Sequence, residues 1–308
     1  VIAVDLFAGL GGFTLGAERA GCRVAWAANH WPFAVEAHAQ NHPRTTHACQ
    51  DLRQCDWATL PEYDLLLAAP ACQGHSSAAQ PSRAASGRTR RKHDALRATA
   101  WAIVDCVDVT EPRAIVVENV PAFRRWRLYP QWRDCLQYLG YSLSEHVVTA
   151  SRLGVPQRRR RLFIVGLRDR GALRVEAPRG REPAFGPCID WRAGNWRPIT
   201  GASAAVRRRI ANGRKRHGDR FITQHVSNHP GVGLDEPIRT ITTKDQWAVV
   251  RGRMYRPLTL RENARAMGFP DSYGWPDDAT RGDVVCGLGN AVPPAVGEWI
   301  ATQVREAM

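Results

Sequence analysis

Val1-Ile-Ala-Val-Asp5-Leu-Phe7-Ala-Gly9-Leu-Gly11-Gly12 decides the fold. A short apolar run stops at a glycine-rich turn. From Gly12 to Ala20 the apolar spacing is that of a helix, which ends at Gly21. Strand, tight turn and helix start make the first part of a strand–helix–strand unit. Glycines in the turn let the backbone approach a ligand, and the helix N-terminus favours a carboxylate or phosphate. Nicotinamide, flavin and S-adenosylmethionine fit such a turn equally well, so the turn alone does not choose among them.

Outward from this stretch, residues 23–28, 64–68 and 114–118 are further apolar runs, and 95–109 reads as a helix. Buried strands alternating with helices predict an α/β fold with a doubly wound, mostly parallel sheet. Ligands bind beyond the carboxyl ends of such strands. Asp5, Pro70-Ala71-Cys72 and Glu118-Asn119 all fall at those ends. The alternation continues over 141–167, with a strand at 161–165. Residues 168–255 differ, being rich in Arg, Gly, Pro and Trp with weak periodicity. They predict a smaller irregular domain with strand-like pieces at 237–242 and 247–250. Helical patterns return at 259–267 and 293–307, so 1–167 and 256–308 are expected to form one domain.

Among the 308 residues, Lys plus Arg number 43 and Asp plus Glu 29, a net charge of +14. All but three of the bases (Lys92, Lys215, Lys244) are arginines, suited to bidentate phosphate and base contacts. A polyanion is the expected partner. An arginine-biased codon usage would explain the choice of Arg over Lys but not the excess over acids. The eight cysteines form no C-x-x-C pair, which disfavours a zinc ribbon and predicts no metal site and a reduced protein. No apolar run approaches the roughly 18–20 residues of a membrane span, and the first residues carry Asp5 and no basic leader. A cytoplasmic monomer is expected, with no membrane partner.

Five short motifs then stand in order. They are the turn at Asp5–Gly12, Pro70-Ala71-Cys72-Gln73, Glu118-Asn119-Val120, Gln157-Arg-Arg159-Arg-Arg161, and Gly289-Asn290-Ala-Val292-Pro293. Their order and spacing resemble the C5-cytosine DNA methyltransferase family over nearly the whole chain except 168–255, where that family keeps its target-recognition domain. The resemblance implies a Rossmann-like methyltransferase domain, S-adenosylmethionine as cofactor and duplex DNA as partner. It implies 5-methylcytosine as product, base flipping, and a bacterial, archaeal or phage source with a place in DNA methylation and restriction-modification.

The chemistry of the residues is consistent with this. Cytosine C5 is a weak nucleophile until a thiolate adds to C6, and Cys72 at a strand end of a basic chain suits that role. Glu118 would protonate or hydrogen-bond N3 and N4, which needs a carboxyl raised by burial. Arg161 would hold the cytosine O2, and Arg159 would support the loop after Cys72 or the covalent adduct. The target atom lies inside a duplex, so the base must first be extruded.

By the same resemblance, Asp5, Phe7, Gly9 and Gly11 would line the cofactor pocket, with Phe7 stacked on adenine and Trp31 across from it. Asp51 would accept from the adenine amino group, Leu52 and Pro70 would flank the cofactor, and Asn290 and Val292 would lie near it. Packing alone remains an alternative for Phe7 and Trp31, and a helix cap or turn for Asp51. The 73–97 segment carries six bases against one acid and is read as a loop that closes over the extruded base. Gln73, Ser76, Arg83, Arg88 and Arg97 are its candidate DNA contacts. Arg207, Arg208 and Arg214 would meet phosphates, with a solvated helix face as the alternative. Thr242, Thr243 and Gln246 would read base edges.

Three positions depart from the family. Ala71 replaces a proline before the cysteine, His75 replaces an aromatic residue, and His30 replaces a glutamate that accepts from the ribose hydroxyls. A neutral histidine accepts one such bond where a carboxylate accepts two. His30 therefore predicts weaker ribose binding, or tolerance of a carboxylated S-adenosylmethionine donor. The other rivals are an RNA cytosine-5 methyltransferase, a DNA-binding protein without catalysis, and a nicotinamide oxidoreductase. The last leaves the cysteine, Glu-Asn and Gln-Arg motifs unexplained.

Overall fold

The computed structural model describes residues 1–71, 99–226 and 228–308. Its main sheet has seven strands. They are β1 (Ile2–Leu6), β2 (Arg23–Asn29), β3 (Thr46–Cys49), β4 (Leu65–Ala68), β5 (Ala114–Asn119), β6 (Tyr141–Thr149) and, beyond a two-residue β7 (Gln157–Arg158), β8 (Arg160–Arg168). The order is β3-β2-β1-β4-β5-β8-β6. The first five run parallel, and β8 lies antiparallel to both β5 and β6. The doubly wound, mostly parallel sheet expected from the apolar runs is therefore present.

Both faces of the sheet are buried, which is why its strands are apolar throughout rather than alternating. Val4, Leu6, Leu66, Ala68, Ile115 and Val117 enter one apolar layer, with Ile103, Val107, Trp132 and Leu136 from α3 (Trp101–Thr110) and α4 (Tyr129–Tyr138). Ala3, Leu65, Leu67 and Val116 enter the opposite layer, against α1 (Gly12–Arg19) and α8 (Pro294–Ala307). The chain runs from β1 to β2 and β3 on one side (through α1 and α2, Pro32–Asn41), then returns to β4 and β5 on the other. The strand order thus reverses between β1 and β4, and a crevice opens where their carboxyl ends diverge.

A second sheet of four strands has the order β10 (Arg220–Gln224), β12 (Trp247–Arg251), β13 (Met254–Pro257), β9 (Arg197–Pro198), all antiparallel. α5 (Ala204–His217) packs on it through Ile210, and Ser203 caps that helix. β13 pairs as far as Pro257, two residues past the expected boundary at 255. Beyond it, α6 (Leu260–Ala266) begins with a capping box between Thr259 and Glu262, and α7 (Arg281–Asn290) follows. A third apolar cluster joins the second sheet to the turn after β1 and to α2. Leu10 and Ala37 lie in one apolar cluster with Ile222, Ile241, Val249 and residues of α6 and α7.

Two sequence expectations change. Of the helix read over 95–109, residues 95–98 lie outside the described residues, Thr99 and Ala100 form a turn whose Ala100 carbonyl accepts from the Trp132 indole at 2.9 Å, and the helix runs from Trp101. The strand read over 237–242 shrinks to β11 (Ile238–Arg239), which pairs with β7. Its continuation bonds to side chains instead of a ladder. Gln157 Oε1 accepts from the Ile241 N–H at 2.9 Å, and Arg159 donates to the Ile241 carbonyl at 3.1 Å. Among the described residues no helix is long and apolar enough to cross a membrane.

Candidate active site

The site is built at the carboxyl ends of β1, β4 and β5. After β1 the chain turns sharply. Phe7 has φ 60°, a left-handed conformation costly for a side chain of its size, and Gly11 (φ 80°) becomes the N-cap of α1. No Cβ fits at Gly11. It would lie 2.7 Å from Tyr273 Oη and 2.8 Å from His42 Nε2. Beside the turn is a shallow hollow lined by Ala8, Gly9, Ala27, Ala28, Asn29, Val35, His38 and His47.

Asp5 is fully buried beneath this turn. Thr14 Oγ1 donates to its Oδ2 at 2.7 Å, while Oδ1 has no hydrogen-bond partner among the described residues. Burial pushes its carboxyl up to about 7, against the pull of the Thr14 bonds. Thr14 Oγ1 also lies 3.0 Å from His38 Nε2, and His38 Nδ1 lies 2.8 Å from His47 Nε2. Burial, then the rings of His42 and His47, hold His38 well below the usual histidine range. Among the described residues no three such side chains converge to hold a metal ion.

The candidate adenosine contacts ring the same side. Trp31 caps α2, and its ring packs on Phe33 at 4.9 Å. His30 is exposed at the end of β2. Asp51 caps the turn at Leu52–Gln54, which is the turn role that its sequence left open. Arg53 grips both its oxygens through Nε at 3.0 and 3.1 Å, and that hydrogen bonding holds the Asp51 carboxyl down at about 2. Leu52 is buried, Asn290 is exposed, and buried Val292 presses its carbonyl on Gly12.

On the other side of the crevice, β4 leads to Pro70 and Ala71. Asn119 at the end of β5 donates to the Pro70 carbonyl at 3.2 Å, tying the two strand ends together. Glu118 precedes it and pairs across to β8, where Arg161 Nε lies 2.9 Å from Glu118 Oε1. Burial pushes the Glu118 carboxyl up, and Arg161, then Arg159, restrain it. Arg159 is buried and clamps three carbonyls. Its Nη1 donates to Ile241, and Nη2 to Gly289 (3.0 Å) and Ala291 (2.9 Å). Gly289 is required there, because a Cβ would collide with the Thr242–Thr243 backbone.

Cys72, Gln73, Ser76, Arg83, Arg88 and Arg97 lie outside the described residues. In the second sheet's region, Arg208 is exposed on α5. Arg207 folds back on the Thr200 and Ala202 carbonyls, and Arg214 on Gly252 and Asp219. Thr242 and Thr243 are half-buried beside Gly289, and Gln246 accepts from Gln224 at 3.2 Å. Asn119 and Gln157 were in the quoted motifs, yet their structural work was not assigned from them. His38, His42 and Tyr273 were not singled out. The two histidines stand at helical i, i+4 spacing, but nothing local connects them to Tyr273.

The side chains suit S-adenosylmethionine. An unpartnered, buried carboxylate oxygen complements an ammonium group, and the glycine turn leaves open space beside Gly9. Comparison with known proteins bears on the same point. A family model described as C-5 cytosine-specific DNA methylase matches residues 2–185 and 189–306. The Type II methyltransferase M.HgiDI of Herpetosiphon aurantiacus is 26% identical over 98% of this chain and 93% of its own length. M.MthTI of Methanothermobacter thermautotrophicus is 26% identical over 98% and 96%. Among solved structures, a Spodoptera frugiperda DNMT2 variant superposes with a TM-score of 0.71 at 15% identity, covering 99% of each chain. Schizosaccharomyces pombe Dnmt2 does so with 0.69 at 18%, covering 100% and 99%. These two likenesses are of fold.

Proposed function

Because this chain belongs to the C-5 cytosine-specific DNA methylase family, we propose that it methylates C5 of a cytosine extruded from duplex DNA, through a covalent bond between Cys72 and C6. It is a methyltransferase and uses S-adenosylmethionine. Relatives named Type II methyltransferases support a DNA substrate and a restriction-modification role.

Bound S-adenosylmethionine supplies an electrophilic methyl group on a sulfonium. The chain's own residues prepare the acceptor. The Cys72 thiolate adds to C6, and Glu118 delivers a proton or hydrogen bond to N3, so the electron pair collects at C5. C5 then takes the methyl group. A base, reached through water, removes the C5 proton, the thiolate departs as the C5–C6 double bond returns, and any proton lent to N3 passes back to Glu118. Arg161 orients Glu118 and offsets charge on the ring. Arg159 acts by holding the backbone around the site. Asp5, Phe7, Gly9, Gly11, Trp31, Asp51 and Leu52 take the cofactor. Residues 168–255 serve as the target-recognition domain, with α5 on phosphates and Thr242, Thr243 and Gln246 toward bases.

The observation that carries this reading is the buried Glu118–Arg161 pair beside the Asn119–Pro70 tie, one residue from Ala71 and two from Cys72. It supplies an acid of raised pKa beside the nucleophile's place in the chain. Mass spectrometry of nucleosides tests it, after duplex DNA or tRNA is incubated with the protein and S-adenosylmethionine. 5-Methylcytosine in the DNA, absent with Cys72→Ala, is expected. Methylation of tRNA alone would transfer the activity to RNA, and any other mass on cytosine would implicate a carboxylated donor at His30.

A further inference from the structure

We propose that Tyr273, backed by His42 and Glu18, is a positioning residue that fixes the Leu10–Gly11 peptide of the glycine turn for cofactor binding. The inference rests on reading that turn as the cofactor site, and it adds a support that comes from far along the chain. Tyr273 follows α6, and its ring packs on Phe269 at 4.7 Å. Arg261 donates to the Tyr273 carbonyl at 2.8 Å, which holds the residue from behind.

The direction of the hydrogen bonds follows from the inventory of protons. The Tyr273 hydroxyl donates to the Leu10 carbonyl. That commits its only proton, so His42 Nε2, 3.0 Å away, donates to the phenol oxygen. His42 Nδ1 lies 2.9 Å from Glu18 Oε2. His42 thus bridges the two, with Nδ1 toward Glu18 and Nε2 toward Tyr273. His42 is 2% exposed and Tyr273 6%, so water does not replace either bond.

This relay ends on the turn itself. The Gly11 N–H donates to the Ala8 carbonyl at 3.0 Å, and the other side of the same peptide, the Leu10 carbonyl, accepts from Tyr273. The peptide plane is held at both ends. Gly11 rests on the platform, since a Cβ there would lie 2.7 Å from Tyr273 Oη, 2.8 Å from His42 Nε2 and 2.9 Å from His38 Cδ2. The N-terminus of α1 starts from this peptide, so its tilt decides where the free amides of that helix point. Without Tyr273 the plane is held at one end only.

The test is isothermal titration of the full chain with S-adenosylhomocysteine, alongside steady-state kinetics and the unfolding midpoint without ligand. Tyr273→Phe is expected to weaken binding roughly tenfold, the scale of one buried hydrogen bond, with KM rather than kcat carrying the loss. Glu18→Gln is expected to cost about threefold, and nothing more once Tyr273→Phe has cut the relay. A lowered midpoint with unchanged affinity in Tyr273→Phe would reduce the residue to a structural one and overturn the proposal. So would losses from the two substitutions that simply add. Phe7→Ala separates the underlying reading. If it leaves affinity intact, the cofactor lies elsewhere, and the proposal fails together with that site.

Discussion

In the seven-stranded sheet, side chains of β1, β4 and β5 go alternately into two apolar layers, and the functional groups sit only at the strand ends. The four-stranded sheet also has apolar clusters, but buried and stacked polar groups are added to them. The Trp191 and Trp196 rings are nearly parallel at 6.4 Å, with Arg251 4.3 Å and Arg256 4.9 Å from the Trp196 centroid. Arg256, 1% exposed, forks onto Glu262, 0% exposed, at 2.7 Å on both oxygens. The same Glu262 accepts from the Asp190 and Thr259 N–H groups. An ion pair so deeply buried is tolerated because almost every lone pair and proton is used. The contrast teaches that register aims the candidate groups at the strand ends of the main sheet, whereas buried polar staples fix the second sheet against α6.

The sharpest way to break that contrast is at a strand end. Glu118→Gln preserves shape and the β5 register but cannot pass a proton, so kcat should fall by about 10²–10⁴-fold. Single-turnover methylation, with DNA affinity measured separately, checks it. A loss of DNA affinity with unaltered turnover would make Glu118 a structural partner of Arg161.

Asp5 offers the next largest effect. Its folded pKa of about 7 lies above its ordinary 3.8, so the folded chain holds a proton that the unfolded chain releases. The resulting stability is complete below about pH 4 and is lost as pH rises through about 7. Asp5→Asn keeps the side chain neutral. It should stabilise the ligand-free protein at pH 8 by up to about 4 kcal/mol, at about 1.4 kcal/mol per unit, with the advantage vanishing below pH 4. Urea unfolding across pH measures this, and a constant difference would refute it. A difference that grows with pH makes the burial of Asp5 a stability cost that serves ligand binding.

The smallest effect belongs to α5, beside the second sheet. Arg208 is exposed on α5, so Arg208→Ala should weaken binding about equally for all duplexes and lower the slope of log Kd against log salt by about 1. Fluorescence anisotropy at several salt concentrations reads the slope. A change confined to one DNA sequence would make Arg208 a base reader.

Legibility in the sequence follows the same divide. β1, β2, β4, β5 and β8 were readable because a strand buried on both faces is an unbroken apolar run. The motifs at their ends were readable because strand ends are where such sheets carry chemistry. The segment after Arg239 was read as extended because its residues suit a strand, but partners from Gln157 and Arg159 replaced the ladder. Asp51 was open between a cap and a ligand group, and its cap geometry shows how one carboxylate can satisfy a local turn. The Glu18–His42–Tyr273 relay had no sequence signal, since His42 and Tyr273 are separated by 231 positions and their pairing is a product of packing alone.

The hold on Ile241 has a consequence for how such a protein changes over generations. Gln157 takes its N–H and Arg159 its carbonyl, while Gly289 abuts the next peptide. Every one of these grips is on main chain, which all residues except proline present alike. Substitutions at 242 and 243 can therefore vary the side chains offered to a binding partner while the anchor beside them stays in place. The address can be rewritten without moving the letterbox.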